Sequence, residues 1–285
     1  MVRSRKGAPA VPAAAEKIHK LLASTGLGSR REIEAWIAAG RIVVNGAPAH
    51  IGQRVTSTDT IEVDGKAVDL RQQPVPEVIL LNKSAGIVCS RKDEEGRPTI
   101  FDGLPRLKRG RWVSIGRLDM QTTGLLLLTN DGTLANAMMH PSTGLDREYA
   151  VRVNGQLDEQ ALAQLTAGVE VDGELLRFSD IRYYDGTENN AWYHVVLTEG
   201  RNREVRRLFE SLGYVVSRLK RVRYGPVILP SWLRLGQWAA LQQDDVKTLY
   251  RLLRLPYAAP KFRKQRHTRL AKASCLLPYP KLNSG

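Results

Sequence analysis

The 285-residue sequence predicts an α+β protein: a small N-terminal domain of two helices and a little sheet, then a larger domain on a mixed, mostly antiparallel sheet with flanking helices. Three observations predict it. Two short helix-like stretches run into two hairpin signals, Asn45-Gly46 and Asp64-Gly65. Further along, strand-like runs follow one another without an intervening helix, which argues against a βαβ repeat. Finally, neither a P-loop nor a GxGxxG stretch is present, so the larger domain lacks the phosphate-cradling turns of nucleotide-binding α/β folds.

The elements follow in order. "EKIHKLLASTG" (16–26) places Ile18, Leu21 and Leu22 on one helical face and stops at Gly26. In "SRREIEAWIAAG" (29–40), Ser29 and Glu32 have capping-box spacing, Ile33, Trp36 and Ile37 form the apolar stripe, and Gly40 closes the helix. "RIVVNGAPA" and "TIEVDGKAV" each read as a strand with a tight turn. "RQQPVPE" (71–77) is a Pro-containing linker. "VILLNKSAGIVCS" (78–90) opens the second domain as an apolar strand and a Gly-containing bend, and "EEGRPTIFD" (94–102) reads as a turn into a strand. Strands are expected at "WVSIGRL", "LLLLTN", "REYAVRV", "WYHVVLTEG" and "SRLKRVRYG", with helices at 133–140, 158–167, 202–212 and 243–254.

Charge is concentrated at the ends. Of the net charge of +14, residues 1–20 carry +4 and residues 257–285 carry +7, leaving +3 for the body. The expected organisation is a disordered basic tail (1–15), a small domain (16–70), the linker (71–77), a large domain (78–256) and a basic C-terminal tail (257–285). Basic tails on a nearly balanced body suit a polyanion, and nucleic acid is the commonest one. No apolar stretch approaches the ~20 residues that span a bilayer. Two distant cysteines, Cys89 and Cys275, and five scattered histidines suggest neither a disulfide framework nor a metal site. A cytoplasmic, monomeric protein without metal or cofactor is expected.

Three stretches can carry chemistry. In "GRLDMQTTGLLLLTNDG" (116–132), Asp119 stands at the entrance of a buried leucine strand, two residues after Arg117. Desolvation there raises a carboxylate pKa unless a cation opposes it. A lone Leu-Asp before Thr-Thr is more often a turn cap than a nucleophile. In "REYAVRV" (147–153), the ring of Tyr149 either fills the core or offers a flat surface to a base. In "TEGRNREVRRLFESLGYVVSRLKRVRYG" (198–225), Val205, Leu208, Phe209 and Leu212 form a helical stripe, Arg203 and Arg207 share a face, and Arg206 lies beside the stripe. An arginine at that position needs a buried partner, and Asp119 suits the role.

Two resemblances sharpen this reading. "KIHKLLASTGLGSRREIEAWIAAGRIVVNG" resembles the S4 RNA-binding domain, whose second helix presents basic residues to phosphates. That likeness makes Arg30, Arg31 and Arg41 RNA-binding candidates; their spacing alone reads equally as a solvated helix face balanced by Glu32 and Glu34. The four motifs "GRLDMQTTGLLLLTNDG", "REYAVRV", "EGRNREVRRLFESLG" and "SRLKRVRYG" together resemble the ribosomal RNA pseudouridine synthases of the small- and large-subunit group, most nearly the large-subunit branch. The likeness runs from about residue 16 to 255. It implies that Asp119 is the catalytic carboxylate, Tyr149 the base-stacking tyrosine, Arg206 the cation paired with the carboxylate, and Arg117 an arginine that holds the place of the extruded nucleotide. It implies also that Leu219 lines the pocket wall and that Arg201, Arg203 and Arg207 meet RNA. The reaction, uridine to pseudouridine, is redox-neutral and calls for no cofactor. The implied partner is large-subunit ribosomal RNA, free or within an assembly particle. Competing readings are a non-catalytic S4-type RNA-binding or ribosome-assembly factor, and the same reaction on small-subunit or transfer RNA.

Overall fold

The protein is described from a computed structural model. The structure describes residues 15–56, 58–70, 74–257, 271 and 273–279. The N-terminal tail expected over 1–15 thus lies, but for Ala15, outside the described residues, as do linker positions 71–73. Two compact units emerge. One runs to Pro74 and takes in Leu107–Arg111; the other comprises Val75–Arg106 and the chain from Trp112 onward.

The first unit contains β1 (Glu16–Lys17), α1 (Ile18–Thr25), α2 (Arg30–Ala38), β2 (Ile42–Val44), β3 (Ala47–Pro48), β4 (Arg54–Val55), β5 (Ile61–Val63) and β6 (Lys66–Ala67). The helix expected from residue 16 begins at Ile18, because Glu16 and Lys17 pair with β4 as an extended strand. Gly26 ends α1 in the left-handed region at φ 93°; a Cβ there would meet the Gly110 carbonyl oxygen at 2.6 Å. That close approach, with the Gly110 N–H donating to the Thr25 carbonyl at 3.1 Å, is how the 107–111 loop joins this unit. Both halves of the Ser29–Glu32 capping box are formed, at 3.1 and 2.6 Å. Asn45-Gly46 and Asp64-Gly65 all take positive φ, as the tight hairpin turns of the β3-β2-β5-β6 sheet require. Ile18, Leu22, Ile33, Ile37, Ile42 and Ile61 fill the core.

The second unit contains β7 (Val78–Lys83), β8 (Val113–Ile115), β9 (Thr123–Thr129), α3 (Gly132–Met139), β10 (Arg147–Asn154), α4 (Glu159–Ala167), β11 (Val169–Val171), β12 (Glu174–Leu176), β13 (Asp180–Thr187), β14 (Asn190–Leu197), α5 (Glu204–Ser211), β15 (Val216–Tyr224), β16 (Val227–Ile228), β17 (Trp238–Ala240) and α6 (Gln243–Leu252). Its main sheet runs β13-β14-β10-β15-β9-β7-β17, antiparallel except where β9 and β15 lie side by side in parallel. That parallel contact spans only Thr123–Lys220 and Gly124–Arg221. Gly124 is required there: at φ 100°, a Cβ would stand 2.2 Å from the Arg221 carbonyl oxygen. The seam separates two cores. On one side β7, β8, β9 and β17 pack with α3 and α6; on the other β10 and β14 pack with α4 and α5.

Two expectations are corrected. "EEGRPTIFD" holds no strand, only an isolated bridge between Val88 and Thr99. Its side chains bind the local backbone instead: Asp93 accepts the Arg97 N–H at 2.8 Å and Asp102 accepts the Thr99 N–H at 2.7 Å, which favours turns. The stretch assigned to a basic C-terminal tail contains a docked strap. Residues 273–279 bridge to β16, with the Ile228 N–H donating to the Cys275 carbonyl at 2.9 Å and the Leu277 N–H to that of Pro226 at 2.8 Å. Cys275 is buried in the first core, and Asp245 of α6 accepts from Ser274 and from the Cys275 N–H. All seven tail cations fall outside the described residues.

Candidate active site

A cleft of about 310 Å³ opens over the seam between the two cores. Asp119 reaches it from an irregular segment just before β9, half-buried, in a turn closed by the Thr122 N–H on the Asp119 carbonyl at 3.0 Å. The sequence reading missed what fixes this turn. Lys83, at the end of β7 and 1 % exposed, donates from Nζ to the carbonyls of Ser84, Asp119, Met120 and Thr122 at 2.9 to 3.1 Å. Burial pulls its ammonium below the ordinary lysine pKa, against Cys89 and Asp119, which favour the charged form. A lone lysine at a strand end carries no signal of this role in sequence.

Around Asp119 the cleft gathers several of the expected residues. Tyr149 on β10 and Leu219 on β15 line it, the tyrosine half-buried against the second core and the leucine fully buried. Arg117 is exposed on the rim, where a second cavity of about 470 Å³ adjoins and shares the wall made by Arg117, Leu118 and Asp119. Arg201 and Arg203 line the cleft at the start of α5, with Arg201 paired to Glu199 at 2.7 Å and Arg203 to Glu210 at 3.4 Å.

Other expected residues stand elsewhere. Arg206 makes no ion pair with Asp119; its Nη1 donates to the Val216 carbonyl at 2.7 Å, and its Nε is buried without a partner. Burial and then Arg203 pull its pKa down, while Glu210 and Asp119 push it up, so the carboxylate acts on Arg206 through space. The helix places the arginine beside its apolar stripe, as expected, but the nearest acceptor is backbone. Arg207 turns to the β11–β12 hairpin, bound to Glu174 at 2.8 Å and Asp172 at 3.1 Å, and does not line the cleft. In the first unit Arg30 and Arg31 are exposed, whereas Arg41 is committed to Asp64 through two hydrogen bonds and lies 5.0 Å from the Trp36 ring. Glu32 closes the capping box and Glu34 binds His19 at 2.9 Å, so the balance expected between these acids and the helix arginines gives way to other contacts.

The floor of the cleft holds three groups that sequence patterns did not flag. Arg221 is 3 % exposed; its Nε donates to the Leu125 carbonyl at 2.7 Å and its Nη2 has no partner. Arg147 donates to the Thr198 carbonyl and to the Tyr224 hydroxyl, and both guanidiniums lie about 5 Å from the Tyr224 ring, at 4.9 and 5.1 Å. Glu204 is buried, accepts the Arg201 N–H at 2.9 Å, and has its pKa raised by burial. Two cations that form no ion pair among the described residues, with Glu204 acting on Arg147 through space, make a site of positive potential that favours an anion or a carbonyl-rich ring. Among the described residues no group of three or more His, Cys, Asp or Glu is arranged to hold a metal ion.

Residues 77–211 match the family model described as RNA pseudouridylate synthase, and residues 16–61 match that of the S4 domain. The chain is 54% identical over 244 residues to the ribosomal large subunit pseudouridine synthase B of Pseudomonas aeruginosa, covering 85% of this chain and 63% of that protein. It is 49% identical to the protein of the same name from Xanthomonas campestris, covering 53% of that one. The chain thus spans between about half and two thirds of those two relatives. Against the same-named protein of Escherichia coli strain K12 it is 49% identical over 245 residues, covering 85% of this chain and 84% of that one. A crystal structure of a pseudouridylate synthase superposes with a TM-score of 0.56 at 27% identity, over 82% of this chain and 99% of that one. With identity of this order over 85% of this chain and 84% of a relative, the chain belongs to the RNA pseudouridylate synthase family.

Proposed function

We propose that the protein isomerises a uridine of large-subunit (23S) ribosomal RNA to pseudouridine, with Asp119 as the reacting carboxylate. The observation that carries this reading is Asp119 itself: an acid at the lip of a cleft, its turn pinned by Lys83, with Tyr149 and Leu219 on the wall and the guanidiniums of Arg147 and Arg221, the latter with one nitrogen unpartnered, lining the same cleft. The reaction breaks N1–C1′, turns the uracil and joins C5 to C1′; N1 gains a proton and C5 loses one. An ionised Asp119 serves each route, whether it attacks C1′, adds to C6 or takes the 2′ proton. Arg221 and Arg147 supply positive potential where the detached uracil carries negative charge. Tyr149 offers its ring as a stacking surface, and Arg117 on the rim holds the space that the nucleotide leaves. A paired uridine cannot reach such a cleft, so the target is extruded at a cost of a few kcal/mol. Phosphate contacts from Arg30 and Arg31 of the S4 domain and from Arg201 and Arg203 offset that cost. We place the protein in the cytoplasm as a monomer, acting without a cofactor.

The test is direct. Asp119→Asn should abolish pseudouridine formation on ribosomal RNA, read as carbodiimide-dependent reverse-transcription stops, while RNA affinity changes less than about tenfold because one charge is a small part of the phosphate contribution. Turnover close to that of the unaltered protein would remove Asp119 from the mechanism. A wild-type chain that binds RNA and yields no new stop would favour an assembly factor, and stops confined to 16S or transfer RNA would change the substrate.

A further inference from the structure

The side of the β13-β14-β10-β15 sheet that faces away from α4, α5 and the cleft is not used by the reaction. Its composition follows from the pairing register. Directly opposed residues in a sheet point to the same side. One row across the strands is therefore Asp185, Trp192, Arg152, Arg218, and the next is Arg182, His194, Ala150, Lys220. The buried residues of the same strands, Val151, Val153, Tyr193 and Val195, point the other way into the second core. A bulge between Tyr183 and Asp185 inserts Tyr184 as an extra residue; it is 71 % exposed and its ring lies 5.3 Å from that of His194.

Among the described residues, free charge on this face is mostly positive: three cations stand against Asp185, which accepts the Gly186 N–H at 2.8 Å and holds no cation. The acids at its lower edge are already neutralised: Asp146 and Glu148 hold Arg223 at 2.6 and 2.9 Å, and His194 binds Glu148 at 2.7 Å. Arg182 is held by Asp180 at 2.8 Å. Among the described residues, Arg152 donates to the Ser217 hydroxyl at 2.9 Å, and Arg152, Arg218 and Lys220 form no ion pair with a carboxylate. Three cations on β10 and β15 thus lie beside Tyr184, Trp192 and His194 on β13 and β14. An occupant from this chain is disfavoured by sign, since residues 258–272 carry six Lys/Arg and no acid.

A group of cations beside a group of aromatic rings, Tyr184 exposed and Trp192 and His194 half-buried, suits a single-stranded nucleic acid, whose phosphates meet the charges and whose bases stack on the rings. Four strands about 4.8 Å apart offer a width of roughly 14 Å, enough for about two or three nucleotides. We infer that this outer sheet face is a second RNA-binding surface, which holds a single-stranded segment of the substrate RNA outside the target nucleotide. The inference rests on the reading of the protein as an RNA-modifying enzyme.

The experiment measures binding of a ribosomal RNA fragment across a salt series for the full chain and for Arg152→Glu/Arg218→Glu/Lys220→Glu. The variant should bind at least about tenfold more weakly at low salt. Its slope of log K against log[salt] should fall by about 2, at roughly 0.7 for each single-strand phosphate released. Tyr184→Ala should weaken binding by about tenfold while leaving the slope in place, because stacking carries no counterions. The milder Arg152→Gln/Arg218→Gln pair, read beside a melting curve, guards against a reversal variant that fails to fold. Unchanged affinity and slope in both charge variants would overturn the inference, and so would loss of binding to polyglutamate alone, which would assign the face to an acidic protein. Pseudouridine formation by the unaltered protein is followed on the same RNA, so failure of the chemistry is told apart from failure of the face.

Discussion

At the residue scale, the proposed site depends on a carboxylate, Asp119, whose position is set by a lysine that does not line the cleft. Lys83 satisfies the Asp119, Met120 and Thr122 carbonyls of the Asp119 turn and the Ser84 carbonyl beside it, and each such group left unpaired costs about 1–3 kcal/mol. Lys83→Met should therefore lower the melting temperature by several degrees and reduce kcat more than it raises KM, since Asp119 loses its place before the cleft loses its binding groups. Rapid-quench kinetics beside a thermal melt will show this split; equal activity with a lower melting point would confine Lys83 to stability. Glu204 gives a second test. Its folded pKa is raised, so the stability it contributes is present at low pH and is lost as pH rises through that value. Glu204→Gln, which keeps an acceptor for the Arg201 N–H, should leave the protein at least as stable at neutral pH and remove its share of the stability lost as pH rises above the ordinary glutamate range.

At the element scale, the acid-side behaviour belongs to β10 and β15. Burial pushes Asp146 and Glu148 up, but hydrogen bonds from Arg223, Tyr279 and His194 outweigh it, and both carboxylates end below their ordinary values. Their stabilising contribution is present at neutral pH and lost as pH falls through those depressed values. Asp146→Asn should shift the acid unfolding midpoint measured by circular dichroism toward that of a protein lacking the pair. Most elements were legible in sequence because each carried its own local code. The capping box at Ser29, the two Gly hairpins and the leucine run of β9 depend on neighbours within a few residues. β13 was not legible, because most of "DIRYYDGT" is exposed at a sheet edge and lacks apolar alternation. The strap at 273–279 was equally hidden, since what holds it is a buried Asp245 some thirty residues away.

At the scale of the whole molecule, that strap separates two effects that removal of the tail would merge. Deleting residues 257–285 should weaken RNA binding and flatten its salt dependence, because seven cations leave, but it also strips Cys275 and its neighbours from the first core. Replacing the seven Lys/Arg with Gln in the full-length chain should flatten the salt slope without moving the melting temperature, whereas ending the chain at 272 should lower the melting temperature by several degrees and leave most of the slope. Of the candidate site, motif order located Asp119, Tyr149 and Leu219, while Arg221, Arg147 and Glu204 were out of reach because their roles arise only when distant strands meet. The join between those strands, two residue pairs around Gly124, is the shortest pairing along the main strand order. Acid and cations are thus mounted on opposite banks of a short bridge. Warming that merely loosens the bridge will silence the chemistry while both halves still look intact by spectroscopy, so inactivation should precede melting.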